Sequence, residues 1–225
     1  MMILRFERVN KDYMADGVPV PALHDVSLEV ERGEFVALAG RSGCGKSTLL
    51  NLAGAMDFPT SGTVVLDGVA TSSLGEAELT RLRREKVGFI FQSFQLLPTL
   101  SAVENVELPL MLAGSKYARG AALDRLAWVA MDAYANRMPY QLSGGQMQRI
   151  AIARALVHSP RLLLADEPTG NLDTATSDLI LELLRRIATE KGTTVLMATH
   201  SSEAARIADT VVHLRDGRVQ ELVRC

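Results

Sequence analysis

The segment Gly40, Arg41, Ser42, Gly43, Cys44, Gly45, Lys46, Ser47 constrains the fold more than any other. It fits the spacing G-x-x-x-x-G-K-[ST]. Glycines there let backbone N–H groups curl around phosphate oxygens, and a helix starting directly behind them adds its positive end. The context agrees. Residues 34–39 form a nearly continuous apolar run, as in a strand buried on both faces, and a helical pattern follows the loop. Lys46 is placed to reach the β- and γ-phosphates, and Ser47 to ligate Mg²⁺. Cys44 sits at a free position, where a small tolerated side chain and a redox role are both open.

The rest of the chain supplies a setting for this loop. Residues 3–9 and 26–30 read as strands, the second with clean period-two alternation. Thr63 to Gly68 reads as another strand ending in a turn. The front third therefore predicts an antiparallel sheet beside the start of a parallel one. From about Glu76 to about Val157 the pattern is mostly helical, with breaks expected at Pro98, Pro109, Gly114, Gly120 and Pro139. Trp128, the sole tryptophan, reads as a packing residue. Residues 162–165 and 194–199 are buried strands. Between them, Asp178 to Lys191 is an amphipathic helix that places Leu179, Ile180, Leu183, Leu184 and Ile187 on one face and stops at Gly192. Asp216 and Gly217 mark a hairpin. Alternation of apolar strands and helices predicts a parallel sheet covered by helices.

Composition narrows the class of partner. Twenty-four Lys and Arg against 26 Asp and Glu leave a formal charge of −2, a poor match for a nucleic-acid coat or a polybasic membrane anchor. Aromatics are 5%, too few for base-stacking platforms. Arg5, Glu7, Arg8, Lys11 and Asp12 interrupt any signal-like run near the N-terminus. No apolar run approaches the roughly 18 residues that suggest a membrane span. Cys44 and Cys225 offer neither a disulfide framework nor metal-ligand spacing. The expectation from these numbers alone is a soluble cytosolic protein.

Four further segments carry chemistry. The strand at 162–165 delivers Asp166 and Glu167 at its C-terminal end, where α/β proteins bind ligands. Asp166 suits a Mg²⁺ ligand and Glu167 a general base that polarises attacking water. Gln92 ends the apolar run 87–91 and can touch metal or water. His200 follows the strand 194–199 at the same sheet edge. Leu142, Ser143, Gly144, Gly145 and Gln146 open a second helix whose start is also an anion site. One nucleotide does not obviously need two such sites from one chain.

Together these residues resemble the nucleotide-binding subunit of ABC transporters over essentially the whole chain. The order matches: phosphate loop at Gly40–Thr48, Q-loop at Gln92, signature at Leu142–Gln146, Walker B at Leu162–Asp166, base Glu167, D-loop at Asn171–Asp173 and H-loop at His200. The resemblance implies a P-loop NTPase (RecA-like) α/β core with an N-terminal antiparallel β subdomain and an inserted α-helical subdomain, roughly residues 95–158 of a single domain spanning 1–225. It implies ATP and Mg²⁺ as ligands, with Ser47, Asp166 and Gln92 on the metal and Thr48 in the loop. Tyr13 lies where an aromatic stacks on adenine, with a core tyrosine as the competing account. Two copies would pack head to tail, each signature closing on the partner's ATP, with Asp173 in the D-loop at the seam. The permease would be a separate membrane protein, the chain lying peripherally on the cytoplasmic side of the bacterial inner membrane, with no nucleic acid.

Residues 88–100, 103–110 and 165–173 resemble in particular the lipoprotein-release, macrolide-export and cell-division branch, whose permeases transmit force across the membrane. A regulatory or scaffolding role of the cell-division kind is the alternative, and a nucleic-acid-associated ATPase stands behind both. Two departures from the branch pattern stand out. Arg41 replaces a common proline. Val129, Ala130 and Met131 replace a common Val-Gly-Leu, which could alter the surface that receives the permease.

Overall fold

A computed structural model describes residues 1–225. Two long strands open the chain, β1 (Met2–Ala15) and β2 (Val18–Glu31). They pair antiparallel, with Ala15 opposite Val18. The two residues between them, Asp16 and Gly17, have φ of 49° and 78°. Positive φ at both positions gives a tight turn whose twist matches the strands it joins. Both strands run past the segments their alternation predicted.

β3 (Phe35–Ala39) leads into the glycine loop and α1 (Lys46–Ala53). β4 (Ser61–Leu66) and β5 (Val69–Ala70) return to the first sheet, giving the order β2-β1-β4-β5. At the turn after β4, Asp67 accepts from Arg32 and Arg161 and faces Lys86, tying the two sheets together.

The middle of the chain departs from the helical expectation. α2 (Glu76–Lys86) is followed by a core strand, β6 (Val87–Ile90). Four residues carry too little periodicity to announce it. Its identity is tertiary: a Cβ on Gly88 would lie 2.3 Å from the Ala155 carbonyl oxygen, so only glycine lets that strand approach the helix. α3 (Ala102–Leu112) and α4 (Ala118–Trp128) also correct the expected breaks. Pro109 lies inside α3 and Gly120 inside α4. Pro109 sits in the last turn of α3, where one missing N–H is outweighed by packing on neighbouring helices. Gly120 is in the first turn of α4. Gly114 and Pro98 lie outside helices, and Pro139 starts a single 3₁₀ turn.

α5 (Gly144–Leu156), β7 (Leu162–Asp166), α6 (Thr174–Lys191) and β8 (Thr194–Thr199) follow. α6 begins four residues before the expected Asp178 and ends at Gly192, whose φ is 64°. Leu179 is half exposed at the edge of the apolar stripe, while Ile180, Leu183, Leu184 and Ile187 are buried. A short α7 (Ser202–Ala205) precedes β9 (Thr210–Arg215) and β10 (Arg218–Arg224), joined at Asp216 and Gly217. Trp128 packs as expected, with Arg186 and Lys191 of α6 over its ring at 5.1 and 5.2 Å.

The second sheet has the order β10-β9-β3-β8-β7-β6, parallel except at β10. Side chains alternate across it. Phe35, Ala37, Leu163, Ala165, Val195 and Met197 join the core under α3 to α6. Val36, Leu38, Leu162, Leu164, Leu196 and Ala198 join the core shared with α1 and the antiparallel sheet. Burial on both faces explains why these strands read as unbroken apolar runs. It also leaves the C-terminal edge of the sheet as the place for polar chemistry.

Candidate active site

The loop after β3 wraps into α1 through glycines that admit no side chain. A Cβ on Gly40 would meet the Leu214 carbonyl oxygen at 2.4 Å, and one on Gly45, at φ 103°, would meet the Ala22 carbonyl oxygen at 2.7 Å. Lys46 opens α1, yet its side chain is only 6% exposed. It turns back over the loop, where Nζ donates to the carbonyls of Gly40 at 2.8 Å and Arg41 at 3.0 Å. The ammonium is thus fixed at the mouth of the nest. Cys44 is buried beneath the loop, packed in the core, which favours its reading as a small tolerated side chain.

Four strand ends meet at this loop. Asp166 closes β7, and Ser47 Oγ donates to its Oδ1 at 3.1 Å. Burial pushes the Asp166 carboxyl above its usual range. The Ser47 bond pulls the other way, the Glu167 charge pushes up as well, and the Lys46 charge pulls down. Glu167 follows with φ 47°, an uncommon region for a non-glycine residue that turns its carboxylate into the cleft. Its Oε1 lies 3.7 Å from Lys46 Nζ and its Oε2 lies 2.8 Å from Nδ1 of His200. Gln92, beyond β6, exchanges amide bonds with Asn171: Gln92 Nε2 donates to Asn171 Oδ1 at 3.3 Å, and Asn171 Nδ2 donates to the Gln92 carbonyl at 3.0 Å. Arg41, Ser42, Gly43, Gly45, Lys46, Ser47, Thr48, Gln92, Asp166, Glu167 and His200 line one open cleft of about 680 Å³ with Ala22.

The expected metal ligands fit a hard cation. Ser47 and Asp166 already present oxygen atoms to one another, and an Asp carboxyl penalised by burial gains from a nearby positive charge. No group of three His, Cys, Asp or Glu side chains is placed to cage a metal.

The second helix start lies elsewhere. Ser143 caps α5, accepting from the Gln146 amide at 3.3 Å while Gln146 Oε1 accepts from the Ser143 amide at 2.9 Å. None of residues 142–146 lines the cleft. Gly144 and Gly145 instead back onto Leu172 and Thr176. Asp173 caps α6, accepting from the Thr176 amide at 3.0 Å and the Thr176 hydroxyl at 2.7 Å.

Tyr13 departs from the core-tyrosine reading. It is 40% exposed, so it is not a core residue. It is also absent from the cleft wall. Its hydroxyl donates to Asp57 at 3.1 Å and Lys11 covers its ring at 4.8 Å. Lys11 also bonds Asp57, and these contacts hold the Asp57 carboxyl below its usual range against the burial that raises it.

Several site contacts carried no sequence signal. Ala22 reaches the cleft from β2. Arg154 of α5 donates to the carbonyls of Phe94 and Gln95, fixing the loop beyond Gln92. The Arg154 contacts join residues 59 and 60 positions apart, a pairing that no local pattern announces.

Residues 23–170 match the ABC transporter family pattern. The chain is 45% identical over 228 residues to the ABC transporter ATP-binding protein MJ0796 of Methanocaldococcus jannaschii, covering 97% of this chain and 95% of that one. It is 47% identical over 220 residues to the macrolide export ATP-binding/permease protein MacB of Rhodopirellula baltica, covering 96% of this chain but 32% of MacB. Among solved structures, dimeric MJ0796 in a post-hydrolysis state with ADP and Pi superposes with TM-score 0.91 at 42% identity, over 99% of this chain and 98% of that one. The cassette CbiO1 of Clostridium perfringens matches with TM-score 0.89 at 28% identity, over 99% and 88%. Both neighbours bear out the expected α/β architecture. With near-full-length relatives agreeing in sequence and in fold, the chain belongs to the ABC transporter family as an ATP-binding cassette.

Proposed function

We propose that this ATPase cassette binds two ATP molecules between two head-to-tail copies and drives a separate membrane permease. One observation carries the reading. The chain has two helix starts whose exposed N–H groups suit an anion, at Gly45–Lys46 and at Ser143–Gly144, and only the first borders the cleft with Glu167. Each copy then supplies half of each working site. The dimeric MJ0796 structures support it.

In the proposed reaction, the loop amides and Lys46 hold the phosphates, and Tyr13 offers its uncovered ring face to adenine. Glu167 takes a proton from the water that attacks the γ-phosphorus while the bond to the bridging oxygen breaks, and His200 fixes the Glu167 carboxylate. Ser47, Asp166 and Gln92 would hold Mg²⁺, which when bound neutralises charge on the β- and γ-phosphates. Asp173 and the signature residues Leu142–Gln146 face the partner copy. Residues 1–225 act as one domain, with about 95–158 as its helical subdomain.

No helix in the chain is long and apolar enough to cross a membrane. The permease is therefore assigned to other segments, with the cassette peripheral on the cytoplasmic side. A groove of about 630 Å³ includes Phe89, Leu108, Pro109, Leu112, Arg83 and Arg154 and reaches Phe91 and Gln95 on either side of Gln92. We assign it to a cytoplasmic segment of the permease, because that position joins partner contact to the Gln92 loop. MacB, a macrolide export ATP-binding/permease protein by name, favours export over the other roles of the branch, lipoprotein release and cell-division regulation. The test is Glu167→Gln with MgATP. The variant is expected to lose hydrolysis by about 100-fold or more and to elute as a stable dimer. An unchanged rate removes Glu167 as base, and a monomer in MgATP removes the shared-site reading.

A further inference from the structure

We propose that Gln148 is a positioning residue that ties the signature helix to the backbone carrying Glu167, so that engagement of a partner's nucleotide at Ser143 is felt at the chain's own hydrolytic site. The proposal rests on the nucleotide-hydrolysing reading above and adds a route between the two half-sites.

Gln148 lies one turn into α5, the helix that Ser143 caps, and is 0% exposed. Its Nε2 donates to the Pro168 carbonyl at 2.6 Å. A carbonyl only accepts, so the amide orientation is determined by its partner. The other amide atom, Oε1, is buried without a partner. An apolar side chain of the same shape would avoid that desolvation cost. The amide's value is therefore in the one bond it makes.

That bond falls where the backbone needs it. Glu167 has φ 47°, and the proline after it has no N–H to donate. The backbone on either side of it is held by the Glu167 amide donating to the Ala198 carbonyl at 3.0 Å and the Gly170 amide donating to the Glu167 carbonyl at 3.0 Å. Both of those come from the sheet edge or the turn itself. Gln148 alone brings a hydrogen bond from the signature helix. A shift of α5 on closing over the partner's phosphates would pull on Pro168, and through it on the Glu167 carboxylate.

The test uses the full chain. Gln148→Met keeps the volume and removes both the donor and the orphaned oxygen, so its melting temperature should match or exceed the parent's. We expect kcat to fall about tenfold or more with the KM for ATP within about twofold of the parent. The MgATP dimer should persist in a Glu167→Gln background, and hydrogen exchange at the Gly170 amide should quicken. Gln148→Asn keeps an amide one methylene too short to reach Pro168 and should reproduce the kinetic defect. A kcat within about twofold of the parent in both variants overturns the proposal. So does a KM that rises in step with the loss of kcat, or unchanged Gly170 exchange. A parent chain that does not hydrolyse MgATP overturns the functional reading instead, and that control is measured first.

Discussion

Nδ1 of His200 stands 2.8 Å from Oε2 of Glu167, and the His200 backbone amide lies 3.3 Å from the same oxygen. Two donors from the end of β8 thus orient a carboxylate carried by the end of β7. The ring supplies the shorter of the two contacts. His200→Ala should leave the carboxylate on the backbone amide alone, free to swing toward Lys46, whose Nζ is 3.7 Å from the other oxygen. We expect kcat to fall about 100-fold with little change in ATP affinity, read by steady-state hydrolysis beside equilibrium nucleotide binding. Weakened binding at full kcat would place His200 on the substrate rather than on Glu167.

Ala130 takes φ 57° directly after α4. Its amide donates to the Ala127 carbonyl at 3.0 Å, and the next amide, Met131, donates to the Leu126 carbonyl at 2.8 Å. This bond pair is a Schellman cap, whose left-handed residue is ordinarily glycine. The departure from the Val-Gly-Leu pattern of the family branch therefore places alanine at a left-handed cap position, where its Cβ is strained. Ala130→Gly should stabilise the chain by about 1 kcal/mol, measured as a higher urea midpoint at constant m-value.

The same cap shows what a sequence can and cannot announce. The phosphate loop, the Asp166–Glu167 strand end and the Ser143 cap were legible because their chemistry lies within a few consecutive residues. The strand alternation was legible because a sheet buried on both faces leaves an unbroken apolar run. Val87–Ile90 was hidden in a helical stretch because its strand character comes from Gly88 against Ala155 and from pairing with β7. Pro109 and Gly120 misled as breaks because packing outweighed propensity. Gln148 on Pro168, and Arg154 on Phe94 and Gln95, carried no signal. Each is a side chain reaching a backbone carbonyl 20 or 59–60 positions away.

His158 makes stability depend on pH. It lies beside the groove assigned to the permease, with Nε2 at 3.0 Å from the Val87 carbonyl oxygen and a buried Nδ1 that has no partner. Burial pushes its pKa down. The Val87 bond opposes that, and the Arg125 charge adds to it. The unfolded chain takes up a proton near pH 6.5, whereas the folded chain resists until lower pH. Between those two values the unfolded state binds more protons, so stability falls as pH drops below about 6.5. Above that value the residue contributes no slope. His158→Gln should flatten the fall below about pH 6.5, followed by urea melts at successively lower pH. An identical slope in parent and variant would assign the acid sensitivity to other groups.

Gly145 and Thr176 bring the signature against the start of α6. A Cβ added at Gly145 would lie 2.4 Å from Thr176 Cγ2, closer than two carbons can pack. Thr176 cannot easily give way. Its amide and hydroxyl both donate to the Asp173 carboxylate, the cap of α6, and those bonds hold that carboxyl below its usual range. Gly145→Ala should therefore displace the Asp173 cap, costing about 1 kcal/mol. It should also lower MgATP hydrolysis by moving two groups assigned to the dimer seam. Thr176→Ser removes the offending methyl and keeps the capping hydroxyl, so the double variant should recover most of both losses. A double-mutant cycle in urea and in ATPase rate reads this directly, with a coupling energy of about 1 kcal/mol as the expected result. Additive losses would show that the two residues do not communicate, and would separate the signature from the D-loop in this chain.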